Sequence, residues 1–285
     1  MEEKTLPANL TSLSAKQLLE LVDDRSSSNT WNLAKAIKQV ARPADVDLLV
    51  NSVSLDKPFV SSVALEGLAQ LAPPSISGWL FEFWSTIPQR PREFWLTIPQ
   101  TPGLYRLRSS TSCAIIALPP ALTLPFAREH LCHEDWEQRA LAEELLEAYA
   151  TPEDIPLLRH AIADALPDDE GNIYRLCSLV EAFSHLPDVG LIPELLEVFV
   201  RFRYSYGRAS AAEAIDVTAP SIFQKRFALE CLWDCEDRAR FVGAATVPLE
   251  NQEAMVRLRQ LASDVWEYED VRAEARKCLP GNGIS

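Results

Sequence analysis

Gly207-Arg208-Ala209-Ser210-Ala211-Ala212-Glu213-Ala214-Ile215 is the stretch whose reading decides the fold. It is alanine-rich, free of proline, and opens on an arginine, a composition suited to a helix that a neighbour can approach closely. Arg175 lies 208 − 175 = 33 residues before Arg208, and Arg139 a further 175 − 139 = 36. Each arginine opens a segment with apolar residues at helical spacing: Asp135–Leu146, Tyr174–Phe183 and Gly207–Ile215. Shorter helical segments, Asp154–Ile162 and Ile192–Phe199, stand between them, set off by breaks at Thr151-Pro152, Pro167–Gly171 and Pro187–Gly190. Asp270–Leu279 repeats the pattern near the end of the sequence and Leu55–Leu68 near its start. A two-helix unit at this period predicts an α-solenoid, in which each unit hides its apolar face only by stacking on the next.

The residues Asp56…Val60…Ala64-Leu65…Leu68, Arg208–Ala214 and Val271-Arg272-Ala273-Glu274-Ala275 resemble the second helix of HEAT-like (armadillo-type) repeats. The resemblance covers roughly 43–72 and 122–279. It implies an all-α solenoid of antiparallel helix pairs, with second helices on the inner surface and arginines pairing along the ladder. It speaks to fold far more than to function.

Composition narrows the function classes. Of 285 residues, 47% are hydrophobic and 24% charged, which suits a globular chain and excludes wholesale disorder. Only 9 glycines but 20 prolines fit helices punctuated by proline; in Thr151-Pro152-Glu153-Asp154, Thr151 is the expected N-cap. Net charge is 27 − 41 = −14, which disfavours nucleic acid and anionic membranes and favours a basic protein partner; acidity that serves only solubility is the other reading. The amino terminus lacks a signal-peptide core and no uncharged run reaches spanning length, so a cytoplasmic location is the expectation. Cysteines 113, 132, 177, 231, 235 and 278 are scattered, which points to reduced thiols.

The expected layout is a capping pair over 1–42 (Ser14–Val22 and Thr30–Val40), a HEAT-like repeat over 43–72, a proline-rich short-helix segment over 73–125, and repeats with a terminal cap over 126–285. The third segment holds nine of the 20 prolines and limits its helices to short pieces, Gly78–Ile87, Arg92–Ile98 and Tyr105–Leu118. Here Phe83-Trp84-Ser85-Thr86-Ile87-Pro88-Gln89 returns as Phe94-Trp95-Leu96-Thr97-Ile98-Pro99-Gln100. Each copy reads as the end of a short helix with Phe, Trp and Ile turned inward; a paired aromatic hot spot is the other reading.

The chemical motifs are thin. His130, Cys132 and His133, with Cys113, offer zinc-ligand types without CxxC or HExxH spacing, and a helix-to-helix turn is preferred. Cys231 and Cys235 share a helix face at i, i+4, yet buried thiols explain them better than a redox pair. Arg201–Arg208 interleaves cations with aromatics, and a turn with arginines paired to Glu is preferred over base stacking. No phosphate loop, nucleophile elbow or dinucleotide fingerprint is present, and no cofactor, metal or catalytic residue is assigned. The expected function is a non-catalytic scaffold whose acidic concave surface grips a basic protein, including the role of an inhibitor or immunity protein. The expected contact residues are Glu137, Glu144, Glu147, Asp168, Asp169, Glu170, Glu181, Tyr204, Tyr206 and Trp233. The alternative is a HEAT-like enzyme, resembling either alkylpurine DNA glycosylases or bilin lyases.

Overall fold

Proline decides where the helices begin. In the computed structural model, which describes residues 9–22, 29–88, 102–168 and 172–279, five helices start on Pro: α4 (Pro58–Leu71), α6 (Pro102–Ile116), α7 (Pro120–His130), α11 (Pro193–Arg201) and α13 (Pro220–Arg226). Their first amide would have no intrahelical partner, so a residue without one loses nothing. The others are α1 (Ala15–Leu21), α2 (Thr30–Val40), α3 (Val46–Asn51), α5 (Ser77–Thr86), α8 (Trp136–Tyr149), α9 (Ile155–Ala165), α10 (Ile173–Glu181), α12 (Ser205–Thr218), α14 (Ala228–Cys231), α15 (Asp237–Thr246), α16 (Gln252–Ser263) and α17 (Glu269–Lys277). The described residues are all-helical, as expected, with short 3-10 turns between helices.

Side-chain caps reinforce the starts. Ser14 caps α1 through a reciprocal pair with Gln17, the Ser14 amide donating to Gln17 Oε1 at 2.9 Å. Thr151 is the N-cap expected of it, in a reciprocal box with Asp154 over the turn Pro152–Asp154. The carboxylate of Asp154 accepts from both the amide and the hydroxyl of Thr151, each at 2.8 Å. A 3-10 turn over Pro152–Asp154 brings the acid back over the residue three before it. Arg42-Pro43-Ala44-Asp45 uses the same device ahead of α3, the Arg42 amide donating to Asp45 at 2.9 Å.

The chain divides into two compact units, residues 1–129 with 133–141 and residues 130–132 with 142–285, the division falling inside α8. In the first, α4 is the centre, packed against α2, α3 and α6. Phe59, Val63, Leu65 and Leu68 are buried around it, and the small Ser61, Ser62, Ala64 and Gly67 let neighbours in closely. A Cβ on Gly67 would meet Leu49 at 3.1 Å. Next to this core, Trp84 and Ile87 of the first Phe-Trp copy are buried, while Phe83 is half-buried and stacks on Trp79 at 5.6 Å. The second copy and the expected Arg92–Ile98 helix lie outside the described residues. α6 and α7 meet at an angle of 118° across Pro119-Pro120, and among the described residues no single helix is long and apolar enough to cross a membrane.

The second unit is built from helix pairs: α9 with α10, α11 with α12, α13 and α14 with α15, α16 with α17. The second members also touch in sequence, α10 on α12, α12 on α15 and α15 on α17, forming one row. Close approach requires small residues. A Cβ on Gly243 of α15 would stand 2.8 Å from the carbonyl oxygen of Ala228 and 3.0 Å from the amide of Leu232, so α14 seats directly on α15 backbone. Gly207 likewise abuts the Phe202 ring and, across to α10, Cys177. Between Ile215 and Asp270 the sequence suggests helix only around Cys231 and Cys235; the structure places α13 to α16 there.

Candidate partner-binding face

Arginines tie the row of second helices together. On α10, Arg175 Nε donates to Glu143 of α8 at 3.0 Å and Nη1 to Asp164 at 3.2 Å. Glu181, at the far end of α10, accepts from Ser210 of α12 at 2.8 Å and from Arg238 of α15 at 3.2 Å. Arg238 also grips Glu213 of α12 through Nε, at 2.9 Å, and through Nη2. Its guanidinium lies 4.8 Å from the ring centre of Tyr206. Burial works against the Arg238 charge, yet the two carboxylates outweigh it and hold the group more firmly protonated than usual.

A second set of links joins the turns that precede these helices. Arg208 bonds Asp234 at 2.8 Å, and Ser205 donates to Glu236. Arg240 clamps Glu267 with two nitrogens, at 2.7 and 2.6 Å, and donates to the carbonyls of Asp234 and Cys235 at 2.8 and 2.7 Å. Arg257 donates to the Leu232 carbonyl at 3.0 Å and lies 4.4 Å from the Trp233 ring centre. In the other row, Arg159 of α9 holds Glu194 of α11 in a two-pronged pair at 2.8 and 3.0 Å.

The expected contact residues fall into distinct settings. Glu137 is not on a surface: it is 4% exposed and pairs with the equally buried Arg108 at 2.7 Å. The helical pattern of α8 assigned it to a solvated face because its partner comes from α6, distant in sequence. Glu144 is exposed. Glu147 is half-buried, and desolvation raises its pKa despite a hydrogen bond with Ser178, with the nearby Glu181 charge adding to the rise. Glu181 is half-buried and already engaged by Ser210 and Arg238. Tyr204 and Tyr206 are partly exposed, their rings 6.0 Å apart, and Trp233 is 54% exposed. Asp168 closes a 3-10 turn, Leu166–Asp168; Asp169 and Glu170 lie outside the described residues.

The remaining candidates sort by the same contacts. Arg201 pairs with Glu197 one turn earlier, and Arg208 with Asp234, so two of the three arginines in the Arg201–Arg208 stretch are engaged by carboxylates. His133 Nδ1 accepts the Asp135 amide at 3.0 Å, and Asp135 in turn caps α8 through the amides of Glu137 and Gln138. Cys231 is 1% exposed whereas Cys235 is exposed and receives Arg208 Nη2 at 3.8 Å, because α14 ends at Cys231 before the i, i+4 spacing is completed.

Thiol chemistry should follow this division. Burial pushes Cys177 and Cys231 up to about 12, leaving almost no thiolate at neutral pH. Iodoacetamide followed by peptide mass spectrometry on the folded protein is expected to modify the exposed Cys132 and Cys235 and to spare Cys177 and Cys231. Modification of all four at similar rates would contradict the burial described.

Comparison of the chain with family models, with curated proteins and with solved structures returned no match.

Proposed function

We propose that this protein is a non-catalytic α-solenoid scaffold of HEAT-like repeats whose acidic helical surface grips a basic protein, as an inhibitor or immunity protein does. The observation that carries the reading is the row α10, α12, α15 and α17, each helix set beside the next and each backed by the helix before it in the chain. Such a row offers an extended face, which suits a macromolecule better than an enclosed pocket would. Net charge of −14 adds an attractive field for a cationic partner and a repulsive one for nucleic acid. The face is not uniformly acidic, since Glu143, Glu181 and Glu213 are matched by arginines. Attraction therefore rests on acids outside the ladder, among them the exposed Glu144, Asp264 and Asp270.

The glycosylase alternative needs Arg201, Arg203, Arg208, Arg226 and Trp233 to converge on one notch. Arg201 and Arg208 are engaged by their own carboxylates and Arg226 lies 5.3 Å from the Phe227 ring centre, so that alternative gains no support. The test of the scaffold reading is affinity capture on the immobilised protein from a lysate of its native host. Basic proteins are expected to be retained at low salt and released as ionic strength shortens the Debye length to about 3 Å near 1 M. A captured set that is neutral or acidic, or retention indifferent to salt, would overturn the charge-driven reading.

A further inference from the structure

A groove of about 420 Å³ runs along the row where α12, α15 and α17 come together. Its chemistry is uneven. Phe241 of α15, 38% exposed, supplies an open aromatic face. Four carboxylates border it, Glu213, Asp237, Asp270 and Glu274, with two cations, Arg238 and Lys277. Both cations are already matched: Arg238 by Glu213 and Glu181, Lys277 by Glu274 at 2.6 Å. Asp237 and Asp270 form no salt bridge among the described residues. Arg240 feels the charge of Asp237, but its guanidinium is clamped on Glu267. Four acids against two bases leave the groove two negative charges in surplus, beside an aromatic ring facing solvent.

Asp237 and Asp270 both lie in the first turn of a helix, where an acid favours the positive helix end. That role accounts for their presence but not for an exposed phenylalanine lining the same groove. Phe241 sits one turn into α15 and shares the groove with Val271 of α17, which is only 1% exposed.

We propose that this groove is the anchoring subsite for an arginine side chain of the basic partner, its guanidinium meeting Asp237 and Asp270 and its flat face lying on Phe241. The assignment rests on the scaffold reading above and specifies where that scaffold discriminates. Arginine fits better than lysine because its guanidinium is planar, weakly hydrated, able to stack on a ring and to meet carboxylates with several donors at once. A hard metal ion would gain nothing from the ring, and a phosphate would meet the surplus negative charge.

The experiment titrates fluorescein-labelled nona-arginine with the full chain at low salt and follows anisotropy. The double variant Asp237→Asn, Asp270→Asn is expected to weaken binding by about tenfold or more, since two charge contacts are lost. Phe241→Ala should weaken it several-fold, in line with a partly exposed cation–π contact of about 0.5–1 kcal/mol. Nona-lysine should bind wild type several-fold more weakly than nona-arginine. The matched control is Glu250→Gln, Glu253→Gln, which removes two exposed acids, one of them in the first turn of α16, away from the groove. It should hold affinity within about twofold, apart from the general field effect. Circular dichroism and thermal melting of each variant separate lost contacts from lost fold. Should the folded groove variant and the control weaken alike, or wild type fail to bind the peptide, the groove assignment is overturned. The scaffold reading fails separately, if capture of basic proteins proves indifferent to salt.

Discussion

Arg108→Ala is expected to lower the unfolding free energy by about 3–5 kcal/mol, because it removes the buried countercharge of the Glu137 carboxylate in a site that excludes water. The two side chains are 4% and 3% exposed and 2.7 Å apart. Arg108 has further duties that alanine cannot perform. Its Nη1 donates to the Ile87 carbonyl at 2.8 Å, just where α5 ends ahead of Pro88, and its guanidinium lies 4.3 Å from the centre of the Trp84 ring. Trp84 is fixed in turn by its indole N–H on Ser112 at 3.2 Å and by edge contact with Phe126. The companion double variant Arg108→Met, Glu137→Leu should recover most of the loss, since a buried pair replaced by apolar groups of similar size is often close to neutral. Urea denaturation of the three proteins measures both effects. A single variant costing less than about 1 kcal/mol would mean that water reaches the pair after all.

Arg240→Ala is the second large loss expected, about 3 kcal/mol, and it carries a pH signature. The substitution leaves Glu267 without its clamp and the carbonyls of Asp234 and Cys235 without their donor. In the folded protein, burial alone would raise the Glu267 pKa; Arg240 and the Tyr268 amide reverse that and hold it below 4.5. A carboxyl whose folded pKa is depressed adds stability above its unfolded pKa and loses it as pH falls through the folded one. The melting-temperature gap between wild type and Arg240→Ala should accordingly be widest at neutral pH and narrow as the solution is acidified below about 4.5. Arg240→Lys should retain only part of the gap, because an ammonium group cannot hold both carboxylate oxygens and both carbonyls in the same fork. A gap that stays constant from pH 7 to pH 3 would assign the loss to packing instead.

Helices were legible where the pattern was local. Thr30–Val40 matches its expected bounds, and the segments opened by Arg175 and Arg208 are helices of the same row, as their spacing suggests. The row member between Arg208 and Arg272 is hidden in the helical pattern, although Asp237-Arg238-Ala239-Arg240 repeats the arginine–alanine opening. The cause is physical. The first half of that pair is broken into α13 and α14 at Phe227, so no continuous apolar period announces it. The site was less legible than the fold because a carboxylate on a polar helix face looks the same whether it meets water or an arginine that is 137 − 108 = 29 residues away, as for Glu137, or 57, as for Glu181. Glu137 and Glu181 are both of this kind, and only tertiary contacts tell them from Asp270.

The cross-links of the second unit have a temporal side. Glu143 is neutralised by Arg175, Glu181 and Glu213 by Arg238, and Arg240 waits for Glu267. While the polypeptide emerges from the ribosome, each new hairpin therefore holds charges whose mates have not yet been synthesised. Fragments cut short inside this unit inherit unmatched ions at their last hairpin, so they forfeit more than the helices they omit.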